Sequence, residues 1–338
     1  VAPQPLDQLE ELVAERFADI PNNDLSVPTI DAPLVVSDTL PHYIERQSLQ
    51  DRRQLRFYFP VPDPTDDYRT KPTQVIAHLL GDEGEGSLLA VLRDAGLADG
   101  LSAGVGRGDG NQALFTVSIS LTPAGAERLD DIEATLFAAI EQLRNDGLAE
   151  WRYQEQADLN EQAFRFQQHG APQQEATQLS MSLSRYPVED VQYAAYRMDG
   201  PDAERQQAYL DALTPDNMLR FYSAPDVESD TVSPWFNTQW KEQVPDQPGQ
   251  ALSGLELPGP NPFIARDLTL QEGQDERPSL LVDTPSFNAW HMQDERFDTP
   301  TVEWRVSLQN PTASYSAEEA VLTRLLASWL NDSLNESL

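Results

Sequence analysis

The sequence predicts an α+β protein: amphipathic strands build a sheet, and long helices cover one of its faces. Three observations carry this. Leu55, Phe57, Phe59 and Val61 alternate along residues 54–62. Ala113, Phe115, Val117, Ile119 and Leu121 alternate with Thr116, Ser118 and Ser120. Both are the period of a strand with one face buried and one wet. Leu129, Ile132, Leu136, Ile140 and Leu143 instead recur every three to four residues, the stripe of a long helix packed on one side.

Taken in order, Leu6, Leu9, Val13, Phe17 and Ile20 predict an amphipathic helix that Pro21-Asn-Asn stops. A proline-punctuated connection, Ser26 to Asp38, leads towards the strand at 54–62. Gln74, Val75, Leu79 and Leu80 predict a short helix, and Gly81, Gly84 and Gly86 are expected to break it by taking φ > 0. Ser87 reads as the N-cap of a second helix through Leu88, Leu89, Val91 and Leu92, with Gly96 as its stop. Thr122-Pro123 reads as N-cap plus proline at the first helical position before the 129–143 helix, which ends near Asp146-Gly147. Further helices are expected from Trp151 through Phe166, over 174–183 and over 203–213. The aromatic residues of the 151–166 helix are expected in the core, with Arg165 free to meet a buried acid. Met218 to Ser223 reads as a strand, 287–292 and 301–309 as two more, and Ser316 as the cap of a closing helix.

The chain has 338 residues and 39% hydrophobic residues, enough for a sizeable core. No apolar run reaches membrane-spanning length, and no signal peptide opens the chain. Cysteine is absent, so disulfides and thiolate metal sites are excluded. Asp and Glu number 56 against 23 Lys and Arg, a net charge of −33, with Lys71 and Lys241 the only lysines. Phosphate-backbone binding needs a basic face, so nucleic acid is not an expected partner. The charge fits a solvated surface adapted to salt, or the attraction of cationic peptides.

The stretch His78-Leu-Leu-Gly-Asp-Glu-Gly-Glu-Gly-Ser87-Leu-Leu89 is the most distinctive in the chain. It is no P-loop, because Ser87 rather than lysine follows Gly86. Gly104-Val-Gly106-Arg-Gly108-Asp-Gly110 is no dinucleotide fingerprint, because it precedes a strand rather than opening a helix. On its own residues, the bend is a turn packing two helices. The stretch nevertheless resembles the His-Leu-Ile-Gly-His-Glu-Gly-Pro-Gly-Ser-Leu-Leu segment of the insulin-degrading enzyme and pitrilysin family of zinc metallopeptidases. Collinear likenesses extend over nearly the whole chain. They include the Phe59-Pro-Val-Pro62 bend, the run Glu150-Trp151 to Phe166, Ser233-Pro-Trp-Phe-Asn-Thr-Gln-Trp-Lys241, Leu255-Glu-Leu-Pro258 with Asn261-Pro-Phe-Ile264, and Trp329 to Glu336.

The resemblance implies a two-layer α/β sandwich whose mainly antiparallel sheet is covered by helices. It implies that residues 1–31 close a preceding catalytic domain, 32–261 form a non-catalytic domain two, 262–287 a linker, and 288–338 the start of domain three. The glycine stretch would line an exosite for the amino end of a peptide substrate, using His78, Gly81, Asp82, Glu83 and Gly86. The peptide would add to the strand edge at Leu101, Ser102, Ala103 and Gly104. Asp82 stands where the family has His, and Glu85 where it has Pro; the extra acid would favour a terminal ammonium. Zinc would belong to the parent protein, held by a His-x-x-Glu-His motif with a distant Glu. None of His42, His78, His169 and His291 begins such a motif here. His78 with Asp82 makes only an i,i+4 pair, interrupted by Gly81, and no Gly-x-Ser-x-Gly elbow appears. No cofactor is therefore expected in this chain. The expected partners are peptide substrates, the catalytic domain and the remaining carboxyl-terminal half, and the family likeness points to the periplasm. The alternative is a non-catalytic peptide-binding or scaffold subunit, distinguished by whether an intact zinc motif lies upstream.

Overall fold

The computed structural model describes residues 4–25, 31–146, 148–167, 170–229, 231–245, 247–296 and 298–334. Part of the expected 26–38 connection, Gly147, His169 and the last residues of the Trp329–Glu336 likeness lie outside the described residues. The chain divides into two compact units, essentially 1–260 and 261–334.

In the first unit α1 spans Leu6–Phe17, followed by β1 (His42–Gln47), β2 (Gln54–Pro62), α2 (Pro72–Leu80), α3 (Leu88–Asp94), β3 (Ala98–Gly108) and β4 (Gln112–Leu121). Then come α4 (Pro123–Ala126), α5 (Leu129–Asp146), α6 (Glu150–Arg165), α7 (Pro172–Leu183), α8 (Ala203–Ala212), β5 (Leu219–Ala224), β6 (Thr231–Val232) and β7 (Gln239–Glu242). The strands form one seven-stranded sheet in the order β3-β4-β2-β5-β1-β7-β6. Among the described residues only β1 and β5 run parallel, and the other pairings are antiparallel. The expected α+β class and the mainly antiparallel sheet covered by helices are both observed.

The periodicities decide the core. Leu55, Phe57 and Phe59 on β2 pair with Ile119, Val117 and Phe115 on β4, and all six are fully buried. Each such side chain contributes roughly 1.5–3 kcal/mol by leaving water. Ile132, Leu136, Ile140 and Leu143 of α5 complete the core with Val75, Ile76, Leu89 and Leu92. Thr122 Oγ1 accepts from Gly125 N–H at 3.0 Å, capping α4, but the helix ends at once and α5 starts anew at Leu129. Buried Arg220 on β5 is held by Asp130 (2.7 Å) and Glu133 (2.6 Å) of α5, which pins the helix to the sheet.

Several expectations fail. In α6 only Tyr153 is buried; Trp151 lies half-exposed under the Arg152 guanidinium, 4.5 Å from the ring centroid. Arg165 rests over Phe166, and the arginine buried against acids is Arg220. Strands β1, β6 and β7 had no clear alternation to announce them. Helix α1 forms where expected, and none of its residues is buried.

The second unit holds a hairpin of β8 (Ser279–Thr284) and β9 (Phe287–His291) and the helix α9 (Ala317–Leu334). Ser316 Oγ accepts from Glu319 N–H at 3.2 Å, the expected cap. Residues 301–309 are not a strand. Their alternation has no neighbouring strand to pair with among the described residues, and without a ladder an extended segment is not a strand. Strand β8 lies inside the stretch 262–287 read as a linker. No described helix is long and apolar enough to cross a membrane.

Candidate functional site

The glycine stretch packs against the edge of the sheet. Val75, Ile76, Leu79 and Leu80 bury one face of α2, and Gly81 N–H donates to Ala77 O (2.9 Å) to end it. Gly81 has φ −93°, so its role is not a left-handed turn. A Cβ there would stand 3.0 Å from Ala77 O, a tight approach to the helix's own last turn, and 3.7 Å from Ala103 N of β3, an ordinary contact. Gly84 does not take positive φ either. The expectation that all three glycines act through φ > 0 holds for Gly86 alone, at +77°.

Two acids are tied up inside the bend. Asp82 Oδ1 accepts from Gly84 N–H at 2.9 Å, an Asx turn. Glu83 pairs with Arg93 of α3 at 3.2 Å. Gly86 O accepts from Glu256 N–H at 2.8 Å, and a Cβ at Gly86 would come within 2.7 Å of Glu256 Cβ. The segment around Leu252, Leu255 and Leu257 therefore crosses directly over the glycine. Ser87 Oγ accepts from Ala90 N–H (3.1 Å), the predicted cap. Gly96 at φ +70° closes α3 through Leu97 N–H to Leu92 O (2.9 Å) and Gly96 N–H to Arg93 O (2.8 Å), a Schellman motif. His78 stays at the surface, but lost hydration pushes its pKa below the usual value, against Asp82 and Glu155, which pull it up.

Strand β3 presents the other half of the site. Leu101, Ala103 and Val105 share a face with Ile119, Val117 and Phe115 of β4 and lean on the core. Ser102 and Gly104 share the opposite face with Ser118 and Thr116. β3 ends the sheet, so one of its edges has no strand partner among the described residues. At Gly100 and Gly104 the space a Cβ would occupy has no other atom within 4 Å. The structure thus brings Gly81 against Ala103 of the end strand, while Asp82 bonds within the bend and Glu83 pairs with Arg93 of α3. Arg93 and Glu256, which fix the bend, were not legible in sequence. Glu256 lies 170 positions from Gly86, and no local pattern joins them. Among the described residues, no three His, Cys, Asp or Glu side chains gather as a metal site would require.

The seven-stranded sheet, covered by helices on one face and bordered at β3 by the glycine bend, defines the fold class. A family model described as "Peptidase M16 inactive domain" matches residues 1–159, and one described as "Middle or third domain of peptidase_M16" matches 164–338. Both define a non-catalytic domain of a peptidase, and the chain belongs to the peptidase M16 family. It is 30% identical over 348 residues to "Insulin-degrading enzyme-like 1, peroxisomal" of Arabidopsis thaliana, covering 98% of this chain and 35% of that protein. It is also 30% identical over 343 residues to the insulin-degrading enzyme of Homo sapiens, covering 98% and 34%. The crystal structure of pitrilysin shares the fold, with TM-score 0.81 and 24% identity over 99% of this chain and 37% of that one. The family resemblance read from the glycine stretch is thereby established. The chain spans about a third of the length of these curated relatives.

Proposed function

We propose that this chain is the substrate-holding, non-hydrolytic part of a zinc metalloendopeptidase. An extended peptide adds to β3 along Leu101, Ser102, Ala103 and Gly104. The bend bearing His78, Gly81, Asp82, Glu83 and Gly86 walls the place where the peptide's amino end rests. The sheet forms part of the chamber around the substrate, and zinc is held elsewhere in the whole protein. The division into 1–31, 32–261, 262–287 and 288–338 belongs to this reading. The observation that carries it is the edge of β3, which has no strand partner among the described residues. Such an edge offers backbone N–H and C=O groups and is largely indifferent to side chains, as a degrading enzyme requires.

The test is a backbone N-methylation scan of a bound peptide. Strand addition predicts a loss of binding at every second position, because alternate N–H groups point towards β3. A flat scan would refute it. Asp82→Ala should weaken free-amine peptides more than acetylated ones; equal weakening of both would remove Asp82 from the ammonium site. The purified chain should show no zinc-dependent turnover.

A further inference from the structure

The helices cover one face of the sheet. The opposite face carries an unexpected charge pattern for so acidic a molecule. Strands β2, β4 and β5 contain no Asp or Glu along their whole lengths, although the chain carries 56 such residues. On this face Arg56 of β2 lies opposite Phe221 of β5, and Arg46 of β1 lies opposite Ser223 of β5. The two arginines, with Gln54, Tyr58, Phe221 and Ser223, line a cavity of about 100 Å³.

Most arginines near the sheet are neutralised. Arg53, Arg93, Arg144 and Arg220 each pair with at least one carboxylate. Arg46 and Arg56 have no carboxylate partner among the described residues. Arg46 Nε donates to Ser223 Oγ (3.3 Å) and Arg56 Nη2 to Gln54 Oε1 (2.7 Å). These neutral acceptors orient the guanidinium groups and leave their charge unanswered. Tyr58 and Phe221 pack edge to face, 5.5 Å between ring centroids, and give the cavity a firm apolar wall. The cavity is well below the roughly 300–1,000 Å³ of whole small-molecule sites. It has room for one side-chain head group.

We propose that this cavity is a subsite for a single acidic side chain, Asp or Glu, of an extended peptide lying across the open face of the sheet. The occupant follows from charge complementarity. Two guanidinium groups with spare N–H donors match a carboxylate. A molecule of net charge −33 repels acidic peptides at long range, so accepting one requires a local positive pair such as this. The subsite stands whether or not β3 takes a peptide, since it lies on the face of the sheet rather than at its edge. Where both operate, it would let an otherwise sequence-indifferent binding site favour peptides with an acid at one position.

Two measurements on the whole chain test the subsite. The first is a nuclear magnetic resonance titration with N-acetylglutamate methylamide, watching the Arg46 and Arg56 Nε–H signals and the Tyr58 and Phe221 rings. Saturable shifts are expected with this probe, and none with the glutamine counterpart or in Arg56→Gln. Equal shifts with both probes, or none with either, would overturn the subsite regardless of what β3 does. The second uses peptide pairs that differ only by Glu→Gln. Wild type should prefer the acidic member about tenfold. Arg56→Gln should bring the ratio to one, and Arg56→Lys should keep part of the preference. A ratio that survives Arg56→Gln, or a preference that follows the peptide's terminal carboxylate instead, would overturn the assignment. Loss of binding of both peptides on N-methylation, with the ratio intact, would report on β3 alone.

Discussion

Residues 113–121, apart from Leu114, and residues 301–309 both alternate apolar and polar side chains. In the first, Ala113, Phe115, Val117, Ile119 and Leu121 are all buried between β2, β3 and the helices. In the second, Val302, Trp304, Val306 and Leu308 are 78%, 84%, 78% and 85% exposed, and no ladder forms. Alternation states which face a strand would bury. It does not supply the neighbour that makes the segment a strand, and that neighbour is a non-local matter.

The sharpest way to break this comparison is to truncate one aromatic in each segment. Phe115→Ala should cost about 3–5 kcal/mol, the usual toll of a cavity in a filled core. Trp304→Ala should stay within about 0.5 kcal/mol, as for an exposed side chain. Denaturant titrations, each read on the transition of the unit concerned, check both. A large loss at Trp304 would mean that its face is covered in solution and that the two segments are alike after all.

The same contrast between covered and open backbone recurs at two glycines of the candidate site. Gly86 has φ +77° and lies under Glu256; Gly104 sits on the open edge of β3. Gly86→Ala combines a strained conformation with a close contact and should cost roughly 1–3 kcal/mol. Gly104→Ala should change stability by less than about 0.5 kcal/mol. Comparable losses at the two positions would show that the face of β3 at Gly104 is not free.

Legibility follows the same division. Strands β2 and β4 and helix α5 were readable because their own residues carry the pattern that buries them. The caps at Ser87, Thr122 and Ser316, and the stop at Gly96, were readable because capping is decided within a few residues. Strand β1 was not. Its His-Tyr-Ile-Glu-Arg-Gln run has no alternation, and it gains its place by pairing with β5, from His42↔Leu219 onward. The bend was readable as a bend, and its resemblance to the family was readable too. Its fixings, Glu83 to Arg93 and Gly86 to Glu256, were not, because each partner is chosen by the folded chain. Trp151 misled because helical spacing marks a face without saying what lies opposite it.

Charge extends the comparison to the whole surface. The acids avoid the central strands and crowd the exposed positions, so self-repulsion acts mainly on what is uncovered. Screening that repulsion should stabilise the chain. The thermal midpoint should therefore rise by several degrees between about 0.1 M and about 1 M salt. A flat or falling curve would mean that attractive ion pairs such as those of Arg205 and Arg220 outweigh the repulsion.

The smallest effect belongs to His78, which belongs to neither class: it is surface-placed yet partly dehydrated. Its folded pKa lies below the ordinary histidine value, chiefly through lost hydration. Between the two values the unfolded chain binds more protons than the folded one, so stability rises with pH across that window. The contribution is complete above the ordinary value of about 6.5 and is lost as pH falls below it towards the lowered folded value. His78→Gln should flatten that slope while leaving the acid limb, where Asp190 is held low by Tyr68, Arg69 and Arg197, unchanged. If the slope near pH 6 survives the substitution, the dehydration is not felt at His78, and the bend is as open to water there as the β3 edge beside it.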